Sequence, residues 1–190
     1  MCPTTSSAST TPGDGTRPSA ISALWNSSAW PVQAKLRVHR TGSRPQRKSG
    51  TQKQAIGRSR GGLTSKIVPL VDALGNLARF VLLPGQRHNT VGVPPLIEGV
   101  VFGALLGDRA FNVDWLRVEL DVRGAAAVIR PKSNRKAAID YDKDIDRWRH
   151  RIENCFAKLE EFRAVATRYC KTDTSFRAAI SLAAAVIATR

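Results

Sequence analysis

Residues 100–106 (VVFGALL) run through seven positions without a charged or polar side chain and stop at Gly107-Asp108. A run of this length, bounded by a turn signal, reads as a strand buried on both faces. A strand covered on both sides needs helices above and below it, so the chain must fold as layered α/β. Residues 125–129 (AAAVI) repeat the pattern after Gly124. Between the two runs, Asn112 is the expected N-cap of a helix over residues 113–123, and Gly124 stands where the left-handed glycine of a helix C-terminus belongs.

The flanking segments fill in the rest. Residues 66–74 alternate as a strand does, and Pro69 within them predicts an edge or a bulge. Gly75-Asn76 predicts a two-residue hairpin into a strand over 77–83, closed by Pro84-Gly85. A short helix is expected over 95–98. Ile145, Trp148, Ile152, Cys155, Phe156, Leu159 and Phe162 recur at helical spacing and predict one long amphipathic helix. After Thr172-Asp173-Thr174 comes an alanine-rich helix expected to be largely buried. The predicted order is strand, strand, helix, strand, helix, strand, helix, helix.

Charge divides the 190 residues unevenly. The whole chain has 30 Lys and Arg against 15 Asp and Glu, a formal +15. Residues 1–66 hold eleven basic residues and the single acid Asp14, a net +10. Residues 1–51 are rich in Pro, Gly, Ser and Thr and show no sustained period, so they read as a disordered basic arm. A flexible arm of this sign binds phosphate without needing a fold, and an acidic polymer is the natural partner. Nucleic acid leads over an anionic membrane surface. Cys2, Cys155 and Cys170 form neither a disulfide framework nor a zinc pattern. No apolar stretch is long enough to span a bilayer, and residues 1–30 lack the apolar core of a secretory signal.

Few residues offer chemistry. Asp108 follows a buried strand, where α/β sheets expose side chains to the ligand crevice; the plainer reading is a turn or cap residue. Glu153 sits beside the apolar helical stripe with Arg149 four residues before it, within reach for an ordinary surface ion pair. A strand-end Asp facing a helix Glu can share a divalent metal, and a third carboxylate is normally wanted. His39, His88 and His150 lack zinc spacing, and there is no phosphate loop or nucleophile elbow.

Taken as blocks, GRSRGGLTSKIVPLVDALGN (57–76), FVLLPGQRH (80–88), LLGDRAF (105–111), PKSNRK (131–136) and RHRIENCFAKLEEFRAVATRY (149–169) closely resemble the DDE transposases of the insertion-sequence-five group. The resemblance covers residues 52–190. It implies an RNase H-like domain in which three carboxylates hold two Mg²⁺ ions for cleavage and transfer of transposon DNA. Asp108 matches the family's second Asp and Glu153 its Glu, which makes these two the implied metal ligands and, with Arg149, the implied catalytic residues. Arg58, Arg60, Lys66, Lys132, Arg135 and Lys136 are the expected DNA contacts. Double-stranded transposon ends are the implied partner, a homodimer is compatible, and the implied location is cytoplasmic, at the bacterial nucleoid.

Three departures from the family pattern follow. The family places a Tyr seven residues before its Glu and a Lys seven after; here those positions hold Asp146 and Glu160. At heptad spacing, Asp146, Glu153 and Glu160 are expected on one helical stripe that repels phosphate. The family's first Asp lies on a first strand upstream of residue 57, but residues 17–53 contain no Asp or Glu. The RNase H-like core is therefore expected to lack a recognisable first strand, and translation of residues 1–50 out of the ancestral frame would account for it. Two readings stay open: a transposase, or a basic DNA-binding remnant that cannot cut. An RNA-binding protein is the third, disfavoured by the absence of an aromatic-rich RNA-binding signature.

Overall fold

The computed structural model describes residues 32–34, 37–39, 54–59, 62–131, 139 and 141–190. Among these residues the strands are β1 (Val32–Ala34), β2 (Arg37–His39), β3 (Gly57–Ser59), β4 (Gly62–Val71), β5 (Leu77–Pro84), β6 (Ala104–Gly107) and β7 (Ala126–Ile129). The helices are α1 (Val93–Ile97), α2 (Asp114–Val122), α3 (Lys143–Asp146), α4 (His150–Glu160), α5 (Arg163–Ala166) and α6 (Asp173–Ala188).

Strand β4 is the hub of the sheet. Its residue Ser65 pairs with Pro84 of β5 on one edge and His39 of β2 on the other, both antiparallel. On that second edge, Gln33 and Ala34 of β1 face Val71 and Leu70, and Arg37 faces Ile67. Two residues separate the paired positions on each side, so β1 and β2 keep one register and act as a single strand line. Strand β1 then runs parallel to β6, and β6 parallel to β7. Three antiparallel strands followed by two parallel ones is the RNase H-like α/β arrangement that the resemblance implies.

The first strand is thus present, which corrects the expectation that it is missing. Its signal lies in VQAKLRVH (32–39), where Val32, Ala34, Leu36 and Val38 alternate with polar residues. Eight residues with period 2 suffice for a strand, yet the alternation is masked by the surrounding Arg, Lys and Ser. The helical and hairpin expectations shift in smaller ways. The β4–β5 connection is a five-residue turn, not a two-residue one: Asp72 Oδ1 accepts from the amides of Leu74 at 2.9 Å and Asn76 at 2.8 Å. Pro69 lies in a strand paired on both edges, not at the sheet edge; the irregularity it predicts falls one residue on, between Leu70 and Val71. Asn112 does not cap α2. It is buried and its Oδ1 accepts from Arg117 Nε at 3.1 Å, while Val113 is the cap residue. Gly124 ends that helix at φ 67°, as expected.

Both faces of the sheet are covered, as the apolar runs require. On one face Val68, Leu70, Leu105 and Ile129 pack with Leu96 of α1 and Leu116 and Leu120 of α2. On the other, Ile67, Val71 and Leu82 pack with Ile152, Cys155, Phe156 and Leu159 of α4 and with Phe176 and Ile180 of α6. Ala104, Leu106 and Val128 continue that second face against Ile145 of α3. Helix α6 starts where expected, capped by Thr172 Oγ1 accepting from Ser175 N at 3.2 Å. It is amphipathic instead of largely buried, with Leu182 68% exposed.

The C-terminal helix is tied to the sheet by Arg168, whose side chain is 1% exposed. Its guanidinium donates to Asp173 Oδ1 at 2.6 Å, to the Ala55 carbonyl at 3.2 Å and to Ser65 Oγ, and it lies 4.7 Å from the Phe176 ring centre. Asp173 Oδ2 in turn accepts from Ala55 N at 2.6 Å. This network holds Arg168 at φ 37°, a conformation rarely adopted by a side-chain-bearing residue.

Candidate active site

Strand parity places the site. Residues 104 and 106 point to the α3 and α4 face, so Asp108, the next residue of that parity, leads toward the same side. In the same way Val128 leads to Arg130. Gly107 and Ile129 are partners in the parallel β6–β7 pair, so Asp108 and Arg130 leave adjacent strands at the same level. Gly107 allows this closeness: a Cβ there would stand 3.2 Å from Ile129 Cγ1 and 3.4 Å from Phe111 Cβ.

The helical segment opposite supplies the partners. Arg149 Nη1 lies 3.5 Å from Asp108 Oδ1, with both side chains partly exposed. Three residues earlier, Asp146 is buried and its Oδ2 accepts from Arg130 Nε at 2.8 Å and Nη2 at 2.7 Å. Asp146 holds the Arg130 pKa above its ordinary value, mainly through that hydrogen bond and then through its charge. Two crossed ion pairs therefore clamp the start of the Glu153 helix to the C-terminal ends of β6 and β7. Asp108 also accepts from Arg109 N at 2.7 Å, capping the 3-10 turn Arg109–Phe111. The cap reading and the crevice reading of Asp108 hold together.

Glu153 is exposed in the first turn of α4, where the helix dipole favours a negative charge. The expected single stripe of Asp146, Glu153 and Glu160 does not form, because Asp146 turns inward to Arg130. A 3-10 segment, Arg147–Arg149, separates α3 from α4. Its three residues per turn add roughly 60° over the segment relative to an α-helix, which shifts Asp146 off the line of Glu153 and Glu160. Arg130 was missed by the sequence reading. The available signal is that it follows its buried run as Asp108 follows its own.

The expected DNA contacts divide. Arg58 is exposed on β3, beside Leu63 of β4. Lys66 pairs with Val38, four residues past Ala34 and so about 13 Å beyond the level of Gly107 along the strand. Its Nζ donates to the Arg87 carbonyl at 2.8 Å and Asn89 Oδ1 at 3.2 Å, and partial burial lowers its pKa. Arg60, Lys132, Arg135 and Lys136 lie outside the described residues.

Among the described residues no group of three His, Cys, Asp or Glu side chains is placed to hold a metal ion. Asp108 and Glu153 alone do not fit a two-metal site, which needs more oxygen ligands than two carboxylates provide. Strands β1 and β2 contribute no carboxylate to it. No helix among the described residues is long and apolar enough to cross a membrane.

Comparison with known proteins identifies the family. The transposase DDE domain family matches residues 34–188. The match starts inside β1, upstream of residue 52, and any break of reading frame would have to lie before it. A Brucella ovis protein named as a putative transposase for insertion sequence element IS6501 is 32% identical over 127 residues, which is 66% of this chain and 98% of that one. The catalytic core domain of BIV integrase is 14% identical, with 80% of each chain covered and a TM-score of 0.47. On the domain match and the Brucella relative, the chain belongs to the DDE transposase family of insertion sequences.

Proposed function

We propose that this protein binds double-stranded DNA as insertion-sequence transposases do, but does not cleave it. The observation that carries the proposal is the first strand. It occupies its place beside β6, with Ala34 facing Gly107 next to Asp108, yet the sequence from 17 to 53 has no carboxylate to offer. The family uses divalent metal, Mg²⁺ by resemblance, and Asp108 and Glu153 are the positions where it would be held. Without a third ligand the site is a degenerate copy of the family's.

DNA binding rests on charge, which needs no intact metal site. Basic residues 44, 47, 48, 53, 58 and 60 stand close together in sequence, and β3 carries Arg58 on the side of the sheet beyond the β6 strand end. Transposon ends are the proposed substrate and a homodimer the proposed assembly. The test is fluorescence anisotropy of a labelled duplex across a salt series. Binding that weakens steeply with salt, with no shortened strand in the same reactions containing Mg²⁺, supports the proposal. Salt-independent binding, or none, refutes the DNA-binding half.

A further inference from the structure

Strand β5 closes one side of the sheet. Among the described residues its only strand partner is β4, so its second edge is free. The hydrogen-bond phase of the pair says which groups that edge presents. Gly85 N donates to the Thr64 carbonyl at 3.0 Å, and antiparallel pairs alternate between bonded and non-bonded positions. Along the register, Lys66–Leu83 and Val68–Val81 are then bonded pairs, while Ile67–Leu82 and Pro69–Phe80 are not. Pro69, which has no N–H, stands where none is required. Phe80 and Leu82 therefore turn their N–H and C=O groups to the free edge.

That edge is the floor of a groove of about 380 Å³. Val81 packs on the α1 face of the sheet and Phe80 on the α6 face. Pro95 and Leu96 of α1 wall the groove on one side, and Ser181, Ala184 and Ala185 of α6 wall it on the other. A slot with a strand edge as its floor and a helix on either side has the shape of one more strand, whose side chains would alternate between the walls. The small side chains of α6 leave room for large ones.

Charge selects among extended segments. Arg79 and Arg177 are both exposed. Arg79, of the same strand parity as Val81, donates through Nη1 to the Glu98 backbone carbonyl at 2.7 Å, just past α1. Arg177 of α6 lies 6.0 Å from the Phe80 ring centre. Among the described residues neither has a carboxylate partner, and no acid lines the groove. At the end of α6, Arg190 is already paired with Glu161 at 3.8 Å.

We propose that the free edge of β5 takes an extended segment of another protein as an added strand, with two adjacent carboxylates at its centre and apolar residues on both sides. Successive side chains of a strand point to opposite walls, so adjacent acids would meet Arg79 and Arg177 while the backbone of Phe80 bonds to that of the segment. The inference stands whether or not the chain cuts DNA.

The probe is a labelled peptide of about eight residues, valine and isoleucine around a central pair of glutamates, titrated by anisotropy against the full chain. Binding should slow hydrogen exchange of the Phe80 and Leu82 amides about tenfold and leave those of Val81 and Leu83, already bonded to β4, unchanged. Arg79→Ser/Arg177→Ser should weaken binding about tenfold with unchanged far-ultraviolet dichroism. Arg109→Ser/Arg147→Ser removes the same charge beside Asp108 and Arg149, three strands away, and should weaken it less than about threefold. A peptide N-methylated at the residues facing the edge keeps its side chains and should not bind, a test that needs no variant of the protein. No binding, equal binding of the N-methylated peptide, or equal loss in the two double variants would overturn the proposal. A DNA duplex that protects the same two amides would overturn it in favour of phosphate, and protection that rises with protein concentration alone would do so in favour of a second copy.

Discussion

The Arg130–Asp146 pair is unequal, and its inequality predicts a measurable asymmetry. The Asp146 side chain is 4% exposed and that of Arg130 39%. Asp146 Oδ1 has no hydrogen-bond partner among the described residues, and among these Arg130 compensates the buried carboxylate through Oδ2. Arg130→Met leaves that carboxylate uncompensated. Removing one partner of a buried pair costs about 3–5 kcal/mol, reduced here to about 2–3 kcal/mol because water reaches Arg130 and already screens the pair. Asp146→Leu leaves an arginine that solvent can hydrate and fills a buried position with apolar volume, for a cost under about 1 kcal/mol. The double variant should behave like Asp146→Leu. Urea unfolding followed by dichroism would show it: with a slope of about 2 kcal/mol per molar, Arg130→Met lowers the midpoint by about 1 M and the double variant restores most of it. The raised Arg130 pKa keeps this contribution fully present below the unfolded value, to be lost only as pH rises through the folded value, so neutral-range pH should not alter the result. Equal costs for the two single variants, or no recovery in the double, would refute the reasoning.

Burial pushes the Cys155 thiol up to about 11 from 9.0. A raised folded pKa gives stability that is complete below pH 9 and lost as pH rises toward about 11, roughly 3 kcal/mol in all; Cys155→Val should flatten that part of the alkaline unfolding profile. In thiol labelling at pH 8, Cys155 should react far more slowly than the half-buried Cys170. Arg168→Met should cost about 3 kcal/mol by stranding Asp173 beneath the Ala55 segment, and should speed hydrogen exchange at the Ala55 amide. Replacing Arg44, Arg47 and Lys48 together by serine should reduce the slope of log affinity against log salt by about 3 if each meets a phosphate. Deleting residues 1–50 would be a poorer test of the arm, because it also removes β1 and β2 from the sheet.

The parts of this fold that are legible in the sequence are those decided by local pattern. The glycine at 124 states a local backbone requirement that is met; the apolar runs ending at Gly107 and Ile129 give strands only over Ala104–Gly107 and Ala126–Ile129, and Val101 of the expected buried strand is 85% exposed. The first strand was missed because its alternation of Val32, Ala34, Leu36 and Val38 is short and set among basic residues whose composition argues for disorder. Its stability comes from β4 and β6, which lie tens of residues away. Asp146 shows the same limit at the site. Heptad spacing predicts an exposed acid beside Glu153, but the 3-10 turn at Arg147–Arg149 rotates it inward, and its partner Arg130 is brought there by strand register. Asp108 and Arg149 were legible as individuals; that they face each other is a property of the sheet.

The most direct test of the account is single-turnover cleavage of an end-labelled duplex carrying insertion-sequence terminal repeats, with the full chain in excess and Mn²⁺ present. Two carboxylates and a first strand without one predict intact DNA in protein-bound reactions, indistinguishable from Asp108→Ala and Glu153→Ala controls. Strand cleavage by the unmodified chain that disappears in both variants would contradict it, and would show that the ligand set is completed by a residue outside the first strand.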